Sequence, residues 1–151
     1  MHRTQPRSAR SHRARTFTLL ALSAVLALSA VVAPTALARG GRTVAGKAQA
    51  RSLHKTVLTN TKGRTLYTLS GETHGKFICT GSCLKVWPPL LVSAGTKPKG
   101  PVMLGTIKRP EGKTQVTFKG MPVYTFSGDS TKGEANGEGL RDVGVWHAVT
   151  P

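Results

Sequence analysis

The sequence predicts an all-β fold, a small single domain built from two related β-hairpin repeats that follow a cleaved signal peptide. Three observations carry this reading. Residues 62–72 read KGRTLYTLSGE and residues 119–129 read KGMPVYTFSGD, and a gapless alignment gives six identities in eleven positions. Such an internal duplication marks a repeat architecture. No segment of the following chain sustains an apolar period of 3.6, while short β-branched and aromatic runs recur between Gly-rich turns. The N-terminus supplies the third observation, with the pattern of an export signal.

That N-terminal stretch carries Arg3, Arg7, Arg10, Arg13 and Arg15 without an acid. An apolar run from Phe17 to Ala33 follows, Pro34 breaks it, and Ala36-Leu37-Ala38 forms a small-x-small cleavage site. Residues 1–38 are therefore expected to be a secretory signal peptide. The run falls short of the about 20 apolar residues that a membrane span requires. No cysteine follows the cleavage site, so the mature chain is expected to be secreted, either released or held only by its surface, and not lipid-anchored.

Residues 39–51, RGGRTVAGKAQAR, hold few large apolar residues and are expected to be a flexible basic leader. The two-repeat β-domain is expected over 52–151, with units at about 52–95 and 102–151. Leu53 to Thr59 reads as a strand, Asn60-Thr61-Lys62-Gly63 as a turn, and Arg64 to Ser70 as the return strand. Side-chain alternation places Tyr67 and Leu69 on one face, and Tyr124 and Phe126 on the equivalent face of the second copy. Residues 71–83 read as a polar loop. Val86-Trp87-Pro88-Pro89-Leu90-Leu91-Val92 reads as extended, because two prolines oppose a helix. In the second half, Val102 to Lys108, Thr114 to Phe118 and Met121 to Ser127 read as strands. A Gly-rich loop over 128–144 and a last strand with Trp146 complete the unit.

The domain after the signal holds seventeen Lys and Arg against six acids, a net +11. Export and the scatter of the basic residues argue against nucleic acid as the partner. The charge reads first as a soluble, highly charged surface; the sharper reading is attraction to an anionic cell-wall polymer or membrane surface. Cys79 and Cys83 are the only cysteines, and in an oxidising compartment they read first as a disulfide that pins a turn.

The Gly-x-x-Leu-Tyr cassette at Gly63 with Glu72, Cys79-x3-Cys83, Trp87-Pro88-Pro89-Leu90, and Gly120-x-Pro122-Val123-Tyr124-x-Phe126-x-x-Asp129 together resemble a bacterial family of secreted-repeat proteins. Many of its members are lipoproteins, and the family is named for a tandem Tyr-x4-Asp motif. The resemblance extends over nearly all of residues 53–151. Glu72 stands where the motif has Asp, and the lipobox cysteine is missing. The family has no established activity, so the resemblance implies architecture and export.

Within each copy, the tyrosine is expected to donate to the acid five residues on, Tyr67 to Glu72 and Tyr124 to Asp129, fastening the following loop to the sheet. Trp87 and Trp146 complete the expected structural motif. A metal site would use His74, Cys79 and Cys83, with Met103 or Met121 as soft additions, in competition with the disulfide. The loop from Asp129 to Glu138 carries oxygen ligands suited to calcium, although its spacing is not that of an EF-hand. His147 reads as a surface or packing residue. No nucleophile elbow, phosphate loop or dinucleotide fingerprint occurs, so no catalytic residue, cofactor or small-molecule substrate is expected. The expected role is an exported, non-catalytic interaction module at the envelope. The competing reading is a redox or metal-handling protein that uses Cys79 and Cys83.

Overall fold

Short strands joined by glycine turns make up almost all the regular structure in the computed structural model, which describes residues 40–151. The predicted signal peptide lies outside the described residues. The strands of the first half are β1 (Arg42–Thr43), β2 (Ala45–Ala50), β3 (Lys55–Asn60) and β4 (Tyr67–Leu69). A single helical turn, α1 (Cys83–Val86), leads into β5 (Leu91–Val92) and β6 (Pro98–Lys99). The second half holds β7 (Leu104–Lys108), β8 (Thr114–Phe118), β9 (Met121–Pro122) and β10 (Trp146–Ala148). The all-β expectation holds, and the sheets are small and open.

Two differences from the expected elements have local causes. Val86 closes a helical turn instead of opening a strand, and the chain extends from Pro88 and Pro89, which end the helix, with Pro89 bridging to Tyr124. The loop between the repeats contains β6, which pairs in parallel with β1 through Arg42↔Pro98 and Thr43↔Lys99.

The larger correction concerns the leader expected over 39–51. Its described part carries β1, β2 and the start of a 3₁₀ turn and is not a flexible leader. β2 pairs antiparallel with β3 along its whole length, from Ala45↔Asn60 to Ala50↔Lys55. His54, at φ 54°, reverses the chain after a 3₁₀ turn at Arg51–Leu53. Lys47 and Gln49 share one face of β2 and are exposed, Gly46, Ala48 and Ala50 share the more covered face, and Ala45 is buried at the strand's start. The hairpin of β2 and β3 is the counterpart of the hairpin of β7 and β8, where Leu104↔Phe118 through Lys108↔Thr114 are paired. The first repeat therefore begins near residue 45 and not near 52.

The repeats share backbone hydrogen bonds one for one. Leu66 N–H donates to Leu58 O at 2.8 Å, and Val123 N–H to Val116 O at 3.1 Å. Val149 N–H donates to Leu66 O and Leu90 N–H to Val123 O, at 2.8 and 3.0 Å. Leu58 N–H donates to Val149 O and Val116 N–H to Leu90 O, at 2.8 and 2.9 Å. Where the two copies meet, Tyr67 and Tyr124 exchange both backbone bonds, at 2.8 and 2.9 Å. Such a pair is the hydrogen-bonded site of an antiparallel ladder and carries a local two-fold axis.

The turns into the cassette strands differ. In the second copy Lys119 and Gly120 both take positive φ, 49° and 78°, the conformation of a two-residue type I′ hairpin. In the first copy the turn is longer. Asn60 Oδ1 accepts from the N–H groups of Lys62 and Arg64, at 2.9 and 3.0 Å, and stabilises it locally.

β4 is buried on both faces, not on one. Leu66 and Val123 join Leu58, Val116 and Val149 in one core cluster. Tyr67, Leu69 and Tyr124 join Trp87 and Trp146 in another. The last strand causes this, because β10 pairs with β4 through Trp146↔Leu69, His147↔Thr68 and Ala148↔Tyr67. The C-terminal strand of the second repeat thus covers the first.

A chain lacking residues 40–50 is expected to unfold at lower urea concentration and lower temperature than the chain that retains them, because Val57 and Leu58, both fully buried, lose the strand beside them. A flexible leader would leave both midpoints unchanged.

Candidate functional site

The tyrosines and acids of the duplicated cassette converge on the centre of the molecule, but not in the pairs that their spacing suggests. Tyr67 Oη donates to Asp129 Oδ2 at 2.7 Å, and Tyr124 Oη donates to Glu72 Oε2 at 2.9 Å. Each tyrosine is bound by the acid of the other repeat. The expected bonds within each copy, Tyr67 to Glu72 and Tyr124 to Asp129, are replaced by crossed ones. The two-fold pairing of Tyr67 with Tyr124 explains the exchange: antiparallel strands run in opposite senses, so each ring lies beside the loop that follows the other tyrosine.

The acids do fasten loops, as expected. Glu72 Oε1 accepts from the N–H groups of Ile78 and Cys79, both at 2.7 Å. Asp129 Oδ1 accepts from Asn136 N–H at 2.9 Å. Cys79 and Asn136 each lie seven residues after their acid, so the same device recurs in both copies. Arg64 adds a bond to the carbonyl oxygen of Asp129. Both carboxylates are almost fully buried. Burial pushes the Asp129 carboxyl up, against the opposing pull of its bonds from Tyr67 and Asn136. Burial first, then the Coulombic effect and hydrogen bonding of the partner carboxylate, push the Tyr124 phenol far up. Tyr67 is raised by burial and then by its hydrogen bond to Asp129.

Four aromatic rings pack beside these bonds. Trp87 and Trp146 stack with centroids 3.8 Å apart and planes 11° apart. Tyr67 meets Trp87 edge-on at 5.5 Å, and Tyr124 meets Trp146 edge-on at 5.2 Å. Both indole N–H groups donate to Asp142, Trp87 to Oδ2 at 2.9 Å and Trp146 to Oδ1 at 2.8 Å. Burial raises the Asp142 carboxyl, but the bonds from Trp146 and Trp87 outweigh it and hold the group below its ordinary value.

Asp142 is a residue that the sequence did not single out. Arg109 is another. It reads as the start of a turn, yet its side chain is 1% exposed. Nη1 donates to Gln115 Oε1 at 2.6 Å and to Tyr124 Oη at 3.1 Å, and Nη2 donates to Cys79 O at 2.9 Å. Glu111, more exposed, completes an ion pair at 3.0 Å. Phe77 lies against the guanidinium, 4.7 Å from ring centroid to Cζ. Arg109 therefore joins the second repeat to the cysteine loop of the first. Its position beside Pro110 and Glu111 gave no signal, because all but one of its partners are distant in sequence.

Cys79 and Cys83 form a disulfide with Cα atoms 5.3 Å apart. Their sulfurs are bonded to each other, so a metal site of His74, Cys79 and Cys83 has no free thiolates. His74 is exposed, and its Nδ1 lies 2.6 Å from Thr73 Oγ1. Met103 is 92% exposed and borders a surface cleft with Lys119 and Gly120. The calcium reading of residues 129–138 meets a similar obstacle. Asp129 is engaged by Tyr67 and Asn136, Glu134 by Ser130 and Thr131 N–H, and Glu138 by Ala148 N–H. Among the described residues no group of three or more His, Cys, Asp or Glu is placed to hold a metal ion. His147 is exposed and lies 3.3 Å from Glu138.

The chemistry open to the central network is structural. Glu72 and Asp129 are buried, each with both oxygens accepting hydrogen bonds. They lack the exposed reacting face that an acid–base pair requires. A cleft of about 490 Å³ lies elsewhere, between β2 and the Gly-rich loop of the second repeat.

Residues 105–150 match the family model Lipoprotein_15, described as a secreted repeat of unknown function. The matched stretch runs from within β7 to the end of the second repeat, and it bears out there the resemblance read from the cassette. A secreted repeat supports an extracellular location. Among the described residues no helix is long and apolar enough to cross a membrane. No curated protein and no solved structure matches the chain.

Two measurements test the crossed network. In double-mutant cycles read by urea unfolding, Tyr67→Phe and Asp129→Ala are expected to couple by about 1.5–3 kcal/mol, the range for a hydrogen bond to a charged group. Tyr67→Phe with Glu72→Ala should couple less; the reverse order would restore pairing within each copy. The chain has only two tyrosines, both with raised folded-state pKa. Their contribution is fully present below the unfolded value of about 10 and is lost at higher pH, where the unfolded chain has released protons that the fold retains. Phenolate absorbance should therefore rise together with unfolding above that pH, with no earlier step.

Proposed function

We propose that the protein is an exported, non-catalytic binding module that acts at the anionic surface of the cell envelope. One observation carries this reading. All six acids of the chain accept hydrogen bonds within the fold: Glu72, Glu111, Asp129, Glu134, Glu138 and Asp142. The described residues hold sixteen Lys and Arg, and Arg109 is the one of them in an ion pair there. Each carboxylate holds part of the fold, buried at Glu72 and Asp129 and exposed at Glu111, Glu138 and Asp142, and the cations outnumber them at the surface. A surface of this kind attracts polyanions over about a Debye length, ~8 Å at physiological salt.

The match to a secreted repeat supports an encounter with wall polymers or lipid head groups outside the cell. The disulfide is consistent with that compartment. The buried, fully bonded carboxylates support a binding role over a catalytic one. The redox or metal reading of Cys79 and Cys83 gains no second observation, since Cys79 is fully buried and the sulfurs are joined.

The protein is expected to pellet with purified cell wall at low ionic strength and to be released as salt rises toward about 0.5 M. Protein that stays in the supernatant at low salt, or binding indifferent to salt, would count against an electrostatic envelope role.

A further inference from the structure

The exposed cations are not spread evenly. The cleft between β2 and the second Gly-rich loop is lined by Lys47, Arg51 and Lys132, with Gln49, Ser52 and Asn136 as neutral hydrogen-bonding groups. A second cleft of about 340 Å³ adjoins it and shares Lys47 and Lys132. Lys62, Asn60 and Thr61 line its far part. Together the two clefts are lined by four cations, Arg51, Lys47, Lys132 and Lys62, of which Lys47 and Lys132 border both. Both volumes fall in the range of small-ligand sites, ~300–1,000 Å³.

Close backbone approaches position this groove. A Cβ at Gly133 would lie 2.7 Å from Gln49 O, so only glycine lets the loop rest on β2. Gly133 N–H donates to Gly63 O at 3.1 Å and ties the loop to the first cassette turn. A Cβ at Gly63 would lie 2.6 Å from Lys132 Cγ, so the missing side chain leaves room for the lysine stem. Lys132 is thus held between the two clefts by contacts from both repeats. The one acid at the groove, Glu134, turns back onto Ser130 and Thr131 N–H, and those bonds hold its carboxyl below the usual range.

We infer that this groove binds a linear phosphodiester-linked polyol or sugar polymer, one segment of chain lying along Arg51, Lys47, Lys132 and Lys62. The inference rests on the envelope-binding reading above and names the surface and the ligand class. Spaced ammonium and guanidinium groups suit a repeating phosphate. The amides and hydroxyls between them suit the hydroxyls of the linking units. A concave site suits a polymer strand better than a flat bilayer. The large exposed apolar residues that would enter a membrane surface, such as Val86, Leu91, Met103 and Val143, line neither cleft.

The test measures binding of a fluorescent synthetic glycerol-phosphate oligomer to the full domain by anisotropy. It compares Lys47→Gln/Lys132→Gln with the charge-matched control Lys76→Gln/Lys85→Gln, whose lysines are exposed and outside both clefts. The groove variant is expected to bind about tenfold more weakly and the control about twofold, the scale of a few exposed ion pairs. Equal loss in both variants would overturn the groove and leave the general envelope reading standing. Retained wall binding without oligomer binding would overturn the ligand class. Binding to phosphatidylglycerol vesicles that outcompetes the oligomer would overturn the choice of a soluble polymer. Wild-type protein gives a second readout that needs no variant. The oligomer should protect Lys47 and Lys132 from acetylation and leave Lys76 and Lys85 reactive; protection of all four alike would overturn the groove.

Discussion

The antiparallel pairing of Tyr67 with Tyr124 is the constraint on which the rest of the structure depends. It places the two repeats about a local two-fold axis and sends each cassette strand past the other. The loops after the strands then lie beside the wrong tyrosine, from the viewpoint of sequence, and the acids bond across. Each repeat is incomplete alone, because its tyrosine has no carboxylate and its acid no phenol until the other repeat is present.

Polar and apolar contributions divide the work at this centre. A buried aromatic side chain removes about 150–250 Å² from water, and here two stacked tryptophans pack with two tyrosines edge-on and with Phe126. The crossed hydrogen bonds add less individually, but an unpaired buried carboxylate would be costly. They therefore select one register of one repeat against the other, since a slip by one residue would take the phenol partners from Glu72 Oε2 and Asp129 Oδ2. Asp142 acts similarly for the indoles, and Arg109 for the cysteine loop.

The ratio of cations to acids has an electrostatic consequence at the surface. A carboxylate that accepts hydrogen bonds keeps its charge, but six acids against sixteen described Lys and Arg leave the exterior basic. Loop fastening and basic surface meet at Glu134, whose backbone bonds shape the loop that carries Lys132 beside Lys47. The groove thus follows from the same loop-fastening chemistry that builds the core.

Local pattern was enough to determine the all-β class, the duplication, the turns at Gly63 and Gly120, and the aromatic core faces, because each depends on side-chain alternation and glycine conformation within a few residues. The disulfide was also legible, as the single pairing open to two cysteines. The strand at Ala45–Ala50 was not, because its small and polar residues become a strand only through β3 beside them. Neither were the roles of Arg109 and Asp142, whose partners lie mostly far away in the chain. Spacing named Tyr67, Glu72, Tyr124 and Asp129 as the residues that matter, but tertiary structure decided who bonds whom. Five residues of separation are compatible with either partner, and only the two-fold meeting of the strands brings each acid to the other repeat's tyrosine.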